Sequence, residues 1–422
     1  MTSRIYEPIK ILLFKKVFII GICFLALLIA RGVLFSFPIL FVALLEEFGW
    51  SREITSSIFS FNLFLSLGLG QFLMGLIQDR VGGKLLLVLG SVMLSISLFM
   101  MSRAKTVWEF YLYIGFLSSL GFAGLGWVPV VSILSKWFQN RRGFIFSLAF
   151  SGIGFGALIF GPLTQYLISN LGWRMAYIYL GVIVAIILPP LMLVQPSIPR
   201  KSVESEGKEA PLGKQGNGQY AKAKTLKQVL CTQSYWYLFL VYLFSAIAIF
   251  SIHIHQVVYL VDKGFGKMFV ASILGVQGIM STIGRIFFAH LSDIFNRTKV
   301  LIVSLILLSI GVGFLGLVSF IQAEWVIYLF TLFYGIPLGV TPPILSAIVA
   351  DTYHGPNFGR IYGFLLLSDG ISGAIGPWIA GYLFDRTGSY MSTFGLAICL
   401  IILACFILNG MNREFGVRTQ PV

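Results

Sequence analysis

The chain has 422 residues, 57% of them hydrophobic and 11% charged, with 39 Phe, 45 Gly and a formal net charge of +14. Its apolar residues fall in runs of membrane-spanning length, and a chain exposing so many of them to water could not stay soluble. The basic excess would suit nucleic acid, but no span carries a basic recognition face, so the charge is assigned to membrane topology and to anionic lipid.

In lipid every backbone polar group must be paired within the chain, so these runs are predicted as helices; the short alternating segments of a β-barrel are absent. Six are expected first, over about 17–45, 54–78, 84–102, 108–134, 143–168 and 174–195. The first is too long for a secretory signal, lacks a small-residue cleavage site and reads as an uncleaved anchor. A polar, basic stretch from about Ser197 to Lys227 follows. Six more spans come after it, over about 235–261, 268–291, 300–320, 325–350, 361–384 and 390–411. The fold class expected is an all-α membrane protein of twelve transmembrane helices. Its parts are an N-terminal six-helix bundle in 1–195, a linker in 196–230 and a C-terminal six-helix bundle in 231–422.

Orientation follows from the basic residues. With a cytoplasmic N-terminus, 21 of the 30 Lys and Arg lie on the cytoplasmic side, seven lie outside, and Arg31 and Arg285 lie within spans. That asymmetry places both termini and the linker in the cytoplasm. The compact chain suggests a prokaryotic inner membrane; the sequence is compatible with a monomer and does not fix the oligomeric state. Cys23, Cys231, Cys399 and Cys405 show no metal spacing and are expected as free thiols. The sequon at Asn296 falls on the cytoplasmic face and should be unmodified. No phosphate-binding loop, nucleophile elbow or metal-ligand cluster occurs, so neither an enzyme nor a cofactor or metal is expected.

The halves echo each other. Gly75 to Lys84, with Asp79 and Arg80, follows the second span; His290 to Lys299, with Asp293 and Arg297, follows the eighth. Each places a carboxylate at a cytoplasmic helix end with basic residues beyond it. Such charges can latch neighbouring helices in one state and release them in another, or be ordinary solvated helix ends. Asp385 and Arg386 form a similar group at the outer end of the eleventh span.

The Asp79-Arg80 turn and its echo resemble the signature loop of the major facilitator superfamily, which implies two six-helix bundles around a central cavity. Ser36-Phe37 through Glu46 to Arg52 resembles the monocarboxylate-porter and oxalate–formate-antiporter branch. So do Gly124 to Pro129, Lys136 to Gly143, Ser151 to Gly156 and Leu171 to Arg174. The likeness covers nearly the whole chain outside the linker.

A charge inside a span costs roughly 2.5–3.5 kcal/mol on insertion scales, so each needs a partner or a purpose. Arg285 lies eight residues before Asp293, roughly 12 Å from the cytoplasmic helix end. Gln277, Ser281 and Arg285 recur every four residues, giving the eighth helix a polar face expected to line the cavity. A guanidinium matches a carboxylate bidentately, and the branch resemblance implies a substrate-binding arginine on this helix. The competing reading is a structural arginine neutralised by an acid.

Asp369 lies nine residues after Arg360, roughly 13 Å from the same surface, so Arg285 and Asp369 are expected as neighbours. Such a pair can take up a proton as substrate binds or leaves, or be a static ion pair. The antiporters look to have a lysine at this place and animal monocarboxylate porters an acidic residue, so the resemblance favours a monocarboxylate with a proton. Those porters follow a Phe-Pro pair with a lysine, where this chain has Ile39. Arg31, on nearly the same helical face as Pro38, can replace that charge, hold a second substrate carboxylate, or anchor the helix.

Trp127, and Tyr334 beside the breaks at Pro337 and Pro342-Pro343, are further candidates for the site. His253 and His255 lie about 200° apart around one helix, so at most one faces the cavity and they form no metal pair. Gly152, Gly154 and Gly156 are expected to serve close helix packing. The expected function is a secondary carrier moving a lactate- or pyruvate-like monocarboxylate with a proton. The partners are that small carboxylate, the proton and the bilayer. The alternatives are an anion exchanger or dicarboxylate carrier and, more remotely, a transporter-like sensor.

Overall fold

The computed structural model describes residues 3–138, 142–193, 226–353 and 358–415. Among them are eleven apolar helical segments long enough to cross a bilayer. In order these are α1 (Phe14–Phe48), α2 (Arg52–Gln78), α3 (Gly83–Met101), α4 (Val107–Trp137), the segment Ile145–Leu191, α7 (Gln233–Asp262), α8 (Lys267–Ile294), α9 (Arg297–Leu317), α10 (Glu324–Thr352), α11 (Arg360–Thr387) and α12 (Met391–Met411). At ~1.5 Å per residue the fifth segment, of 47 residues, would measure about 70 Å, more than twice a hydrocarbon core. Gly172 breaks it, at φ 79° and ψ 161°, a region open to glycine alone. The segment is therefore two crossings, α5 (145–171) and α6 (173–191), which makes twelve among the described residues. Most of the expected linker lies outside the described residues; its end forms the short helix Leu226–Leu230.

Several helices are interrupted where the sequence removes a backbone donor or widens a turn. In α1 the turn at Ser36 precedes Pro38, and the Ser36 hydroxyl donates to Gly32 O at 2.9 Å while accepting from Thr164 of α5 at 2.8 Å. Wide π turns occupy Phe64–Leu69 in α2 and Tyr111–Leu117 in α4. In α10 a 3-10 turn at Pro337–Gly339 precedes Thr341-Pro-Pro343.

Two long seams join the bundles: α2 lies along α11, and α5 along α8. The pairing is symmetric, since α2 and α8, like α5 and α11, hold equivalent places in the two halves. Backbone approach in each seam requires glycine. A Cβ on Gly68 of α2 would lie 3.1 Å from the Gly370 Cα of α11. The expectation for α5 resolves into two faces: Gly152 and Gly156 pack on the α1 backbone, while Gly154 packs on Gly278 of α8.

An even number of crossings puts both chain ends on one face. At the opposite face the bundles are tied together. Arg52, at the start of α2, pairs with Asp262 of α7 at 2.5 Å, donates to the Tyr390 hydroxyl at 2.8 Å, and lies 3.6 Å over the Phe384 ring. Asp385 of α11 accepts from the backbone N–H of Arg52 at 3.2 Å and of Glu53 at 2.7 Å. A carboxylate from one bundle thus caps a helix of the other, meeting two of the N–H groups that a helix start leaves unpaired. Glu53 accepts from the Trp378 indole at 3.1 Å, and Lys267 pairs with Glu46 at 2.7 Å.

The segments that carried the branch resemblance meet here too: the Glu47 carboxylate accepts from Trp173 and Arg174. At the face of the chain ends, Arg297 bridges Asp293 at 3.1 Å and Asp351 of α10 at 2.7 Å, a link within the second bundle. Asn296, the sequon residue, caps α9 by accepting from Lys299 N at 3.1 Å. The side chains of Asp79 and Arg80 lie outside the described residues.

Candidate functional site

Between the bundles lies a cavity of about 190 Å³ reached by Arg285, Asp369, Tyr242, His253, Ser281 and Trp127. A second lobe of about 120 Å³ shares Trp127, Tyr242, Pro342 and Asp369 with it and adds Arg31, Gln71 and Tyr362. A larger groove of about 430 Å³ between α9 and α12, lined by Ile306, Ile402 and Phe406, carries no charge and faces outward from the bundle. The chemistry is in the central pair of lobes.

The α7 wall follows from helical spacing. Tyr242, Ser245, Ala246, Ile249, Phe250 and His253 recur at intervals of three and four, which is one helix face. His255, two residues on, faces elsewhere. Its Nε2 lies 2.9 Å from Pro377 O and its Nδ1 2.9 Å from the Tyr390 hydroxyl. Because a carbonyl only accepts, Nε2 holds the proton and Nδ1 accepts from Tyr390, extending the Arg52 tie into the core.

Trp127 starts the second half of α4, after a break at Leu125-Gly126. Gln71 accepts from the freed Val128 N–H at 3.2 Å, and Trp127 stacks on Phe150 with centroids 3.7 Å apart. The indole is thereby held as a wall common to both lobes.

Arg285 and Asp369 face one cavity, as their depths predicted, but the ion pairs among the described residues do not join them. The carboxylate of Asp369 instead receives the Tyr242 hydroxyl and lies in the field of Arg31 of α1, which lines the same lobe without forming an ion pair with it. Arg285 is left with a buried Nη1 that has no protein partner. Its other end reaches back one turn: a Cβ on Gly339 would lie 3.0 Å from Arg285 Nη2 and 2.6 Å from Ser281 Oγ. The 3-10 break of α10 puts a glycine there, and that makes room for the guanidinium. A planar fork with an unmatched donor, beside a carboxylate already engaged elsewhere, can accept an incoming carboxylate.

Two expected lining residues lie elsewhere. Tyr334 is fully buried, and its hydroxyl donates to Ile249 O at 3.0 Å, so it packs the second bundle rather than the cavity. Gln277 is also fully buried and donates to Gln256 at 2.9 Å, one shell behind the cavity. Tyr242, His253 (one of two histidines of which at most one was expected at the cavity), Gln71 and Tyr362 were not expected as site residues. The regular α7 spacing was the signal for the first two; none marked Gln71 or Tyr362.

The sequence matches the family model of the Major Facilitator Superfamily over residues 22–341 and 264–414. Monocarboxylate transporter 13 of Rattus norvegicus is 25% identical over 388 residues, covering 91% of this chain and 86% of that protein. Monocarboxylate transporter 12-B of Danio rerio is 27% identical over 419 residues, covering 92% and 85%. Among solved structures, a variant of the nucleoside transporter NupG superposes with a TM-score of 0.73 at 13% identity, covering 94% of this chain and 99% of that one. A bacterial homologue of the human lysosomal transporter Spinster, inward-facing and unoccupied, gives 0.71 at 12%, covering 95% and 98%.

Proposed function

The chain belongs to the major facilitator superfamily, and from that premise we propose that it is a secondary carrier moving a small monocarboxylate, of lactate or pyruvate size, together with a proton by alternating access. One observation carries this reading: Arg285 lines the cavity with a buried Nη1 that no protein group meets, while Asp369, in the same cavity, lies in the field of Arg31 of the other bundle and makes no ion pair with Arg285. The monocarboxylate transporters among its relatives support the substrate class.

In the proposed cycle Arg285 holds the substrate carboxylate, with Ser281 beside it and Trp127 closing the apolar side. Asp369 takes the proton. A protonated Asp369 no longer attracts Arg31, so loading weakens a link between the bundles at the cavity and lets them rock about the glycine seams. Arg52, Asp262 and Asp385 then gate one face, and Asp79, Arg80, Asp293 and Arg297 the other. The basic asymmetry supports cytoplasmic termini. Only the compact length supports a prokaryotic inner membrane, and the relatives named here are from animals.

A second reading, anion exchange or dicarboxylate transport, is favoured by Arg31 as a second cation on the adjoining lobe. Uptake of labelled lactate into proteoliposomes separates the two. Accumulation in empty vesicles driven by an inward proton gradient supports symport. Uptake only into vesicles preloaded with an anion supports exchange and excludes the proton role of Asp369.

A further inference from the structure

His253 is 7% exposed and lines the cavity, and its Nε2 is buried without a protein partner. Which hydrogen that ring carries can be worked out from its neighbours. The Gln256 side-chain nitrogen lies 3.2 Å from His253 O and 3.3 Å from His253 Nδ1. A main-chain carbonyl only accepts, so that end of Gln256 must be the amide NH2. Its oxygen in turn receives Gln277 Nε2 at 2.9 Å. With an NH2 facing it, Nδ1 accepts, and the proton of the neutral ring sits on Nε2. The ring that lines the cavity therefore carries, on a buried atom, an N–H donor that nothing in the protein satisfies. Phe35 of α1 holds the ring edge-on, with centroids 5.2 Å apart.

The donor lies close in height to the Arg285 guanidinium. Gln256 and Gln277 are bonded, so they mark one level on α7 and α8. The two helices run in opposite directions. His253, three residues earlier on α7, and Ser281, four later on α8, therefore lie about 4.5 Å and about 6 Å from that level, both towards the face of the chain ends. Arg285 is a further turn along, but its guanidinium reaches back to Gly339 beside Ser281. The guanidinium and the His253 ring are thus offset by a small distance along the cavity axis.

We infer that His253 is a specificity-determining residue that reads the atom next to the substrate carboxylate, donating Nε2–H to an oxygen on C2. The site would then select 2-oxo and 2-hydroxy monocarboxylates. It would disfavour acids with a bare methylene at C2, which leave the donor buried and unmet, and 2-amino acids, whose ammonium has no lone pair to accept it. The inference rests on the proposal that Arg285 holds the carboxylate.

Uptake of pyruvate, lactate, propionate and alanine by the full chain in proteoliposomes tests it. Pyruvate and lactate are expected to exceed propionate in uptake per KM by about tenfold, the scale of a buried donor left unmet, with alanine lower still. His253→Phe removes the donor and is expected to bring lactate and propionate within about twofold of each other. His253→Gln, which keeps an N–H, is expected to retain part of the preference. Equal handling of lactate and propionate by the wild type overturns the role of His253 and leaves the carboxylate reading standing, with no variant needed. An unchanged preference in a folded His253→Phe protein overturns it as well. Transport of none of the four acids overturns the underlying reading itself.

Discussion

Asp369 of α11 and Arg31 of α1 line one lobe of the cavity from opposite bundles, close enough for each to feel the other's charge but not joined in an ion pair. The alternative pairing, Asp369 with Arg285, would have kept both charges within the second bundle. A cross-bundle pair couples the charge state of one side chain to the relation between two rigid bodies. In a medium of low effective dielectric that coupling is strong, and it disappears when the carboxylate is neutral.

Replacing Asp369 by Asn should mimic the protonated carboxyl. Counterflow, in which labelled acid enters in exchange for unlabelled acid, should persist. Accumulation driven by a pH gradient should fall to the level of empty liposomes. Parallel assays of exchange and gradient-driven uptake on the same preparation check this split.

Arg285→Lys keeps the charge but loses the planar fork, and the compact ammonium is more strongly hydrated. Its KM for lactate should rise about tenfold or more, with protein amount and thermal stability near wild type. Arg285→Ala should abolish saturable uptake. Initial rates over a substrate series distinguish the two.

The tie at the face opposite the chain ends should be separable from the chemistry. Asp385→Ala leaves the Arg52 and Glu53 N–H groups without their acceptors, at about 1 kcal/mol or more for the lost cap. That cost falls only on the state in which this face is closed. Phe41, fully buried in α1 with its ring 5.3 Å from His255, reports on it. A Phe41→Cys probe should react faster with a membrane-impermeant thiol reagent in the Asp385→Ala background, and equal rates would show that the cap does not hold the face shut.

The seam between α2 and α11 sets a steric limit. A methyl at position 370 would press into the Gly68 backbone, so Gly370→Val should lower transport sharply with little loss of folded protein in detergent. Retained transport would mean that the bundles do not need this approach in the working cycle.

The features legible in the sequence are those fixed by local physics. Lipid forces each apolar run to be a helix, and the glycine of Leu171-Gly172-Trp173 falls at the anticipated break between the fifth and sixth spans. The cost of charge in a membrane singled out Arg31, Arg285 and Asp369, and all three reach the cavity lobes. Pairing was not legible, because depth along a helix does not say which neighbour a side chain turns to; hence Asp369 shares a lobe with Arg31 and makes no ion pair with Arg285. Tyr334 and Gln277 share helices with cavity residues but turn into the second bundle. The cap from Asp385 to α2 joins residues more than 300 positions apart, and no local pattern encodes it. The two histidines of α7 lie about 200° apart, which allows one of them at the cavity, and only the spacing back to Tyr242 shows that it is His253.

The most direct test is the internal pH of proteoliposomes when lactate is added outside, starting with no substrate inside and no pH gradient. Wild type should acidify the lumen faster than empty liposomes, whereas Arg285→Ala and Asp369→Asn should match the empty liposomes. Acidification by Asp369→Asn at the wild-type rate would contradict the proton role of Asp369. Lactate entry through wild type without any acidification would contradict proton coupling altogether.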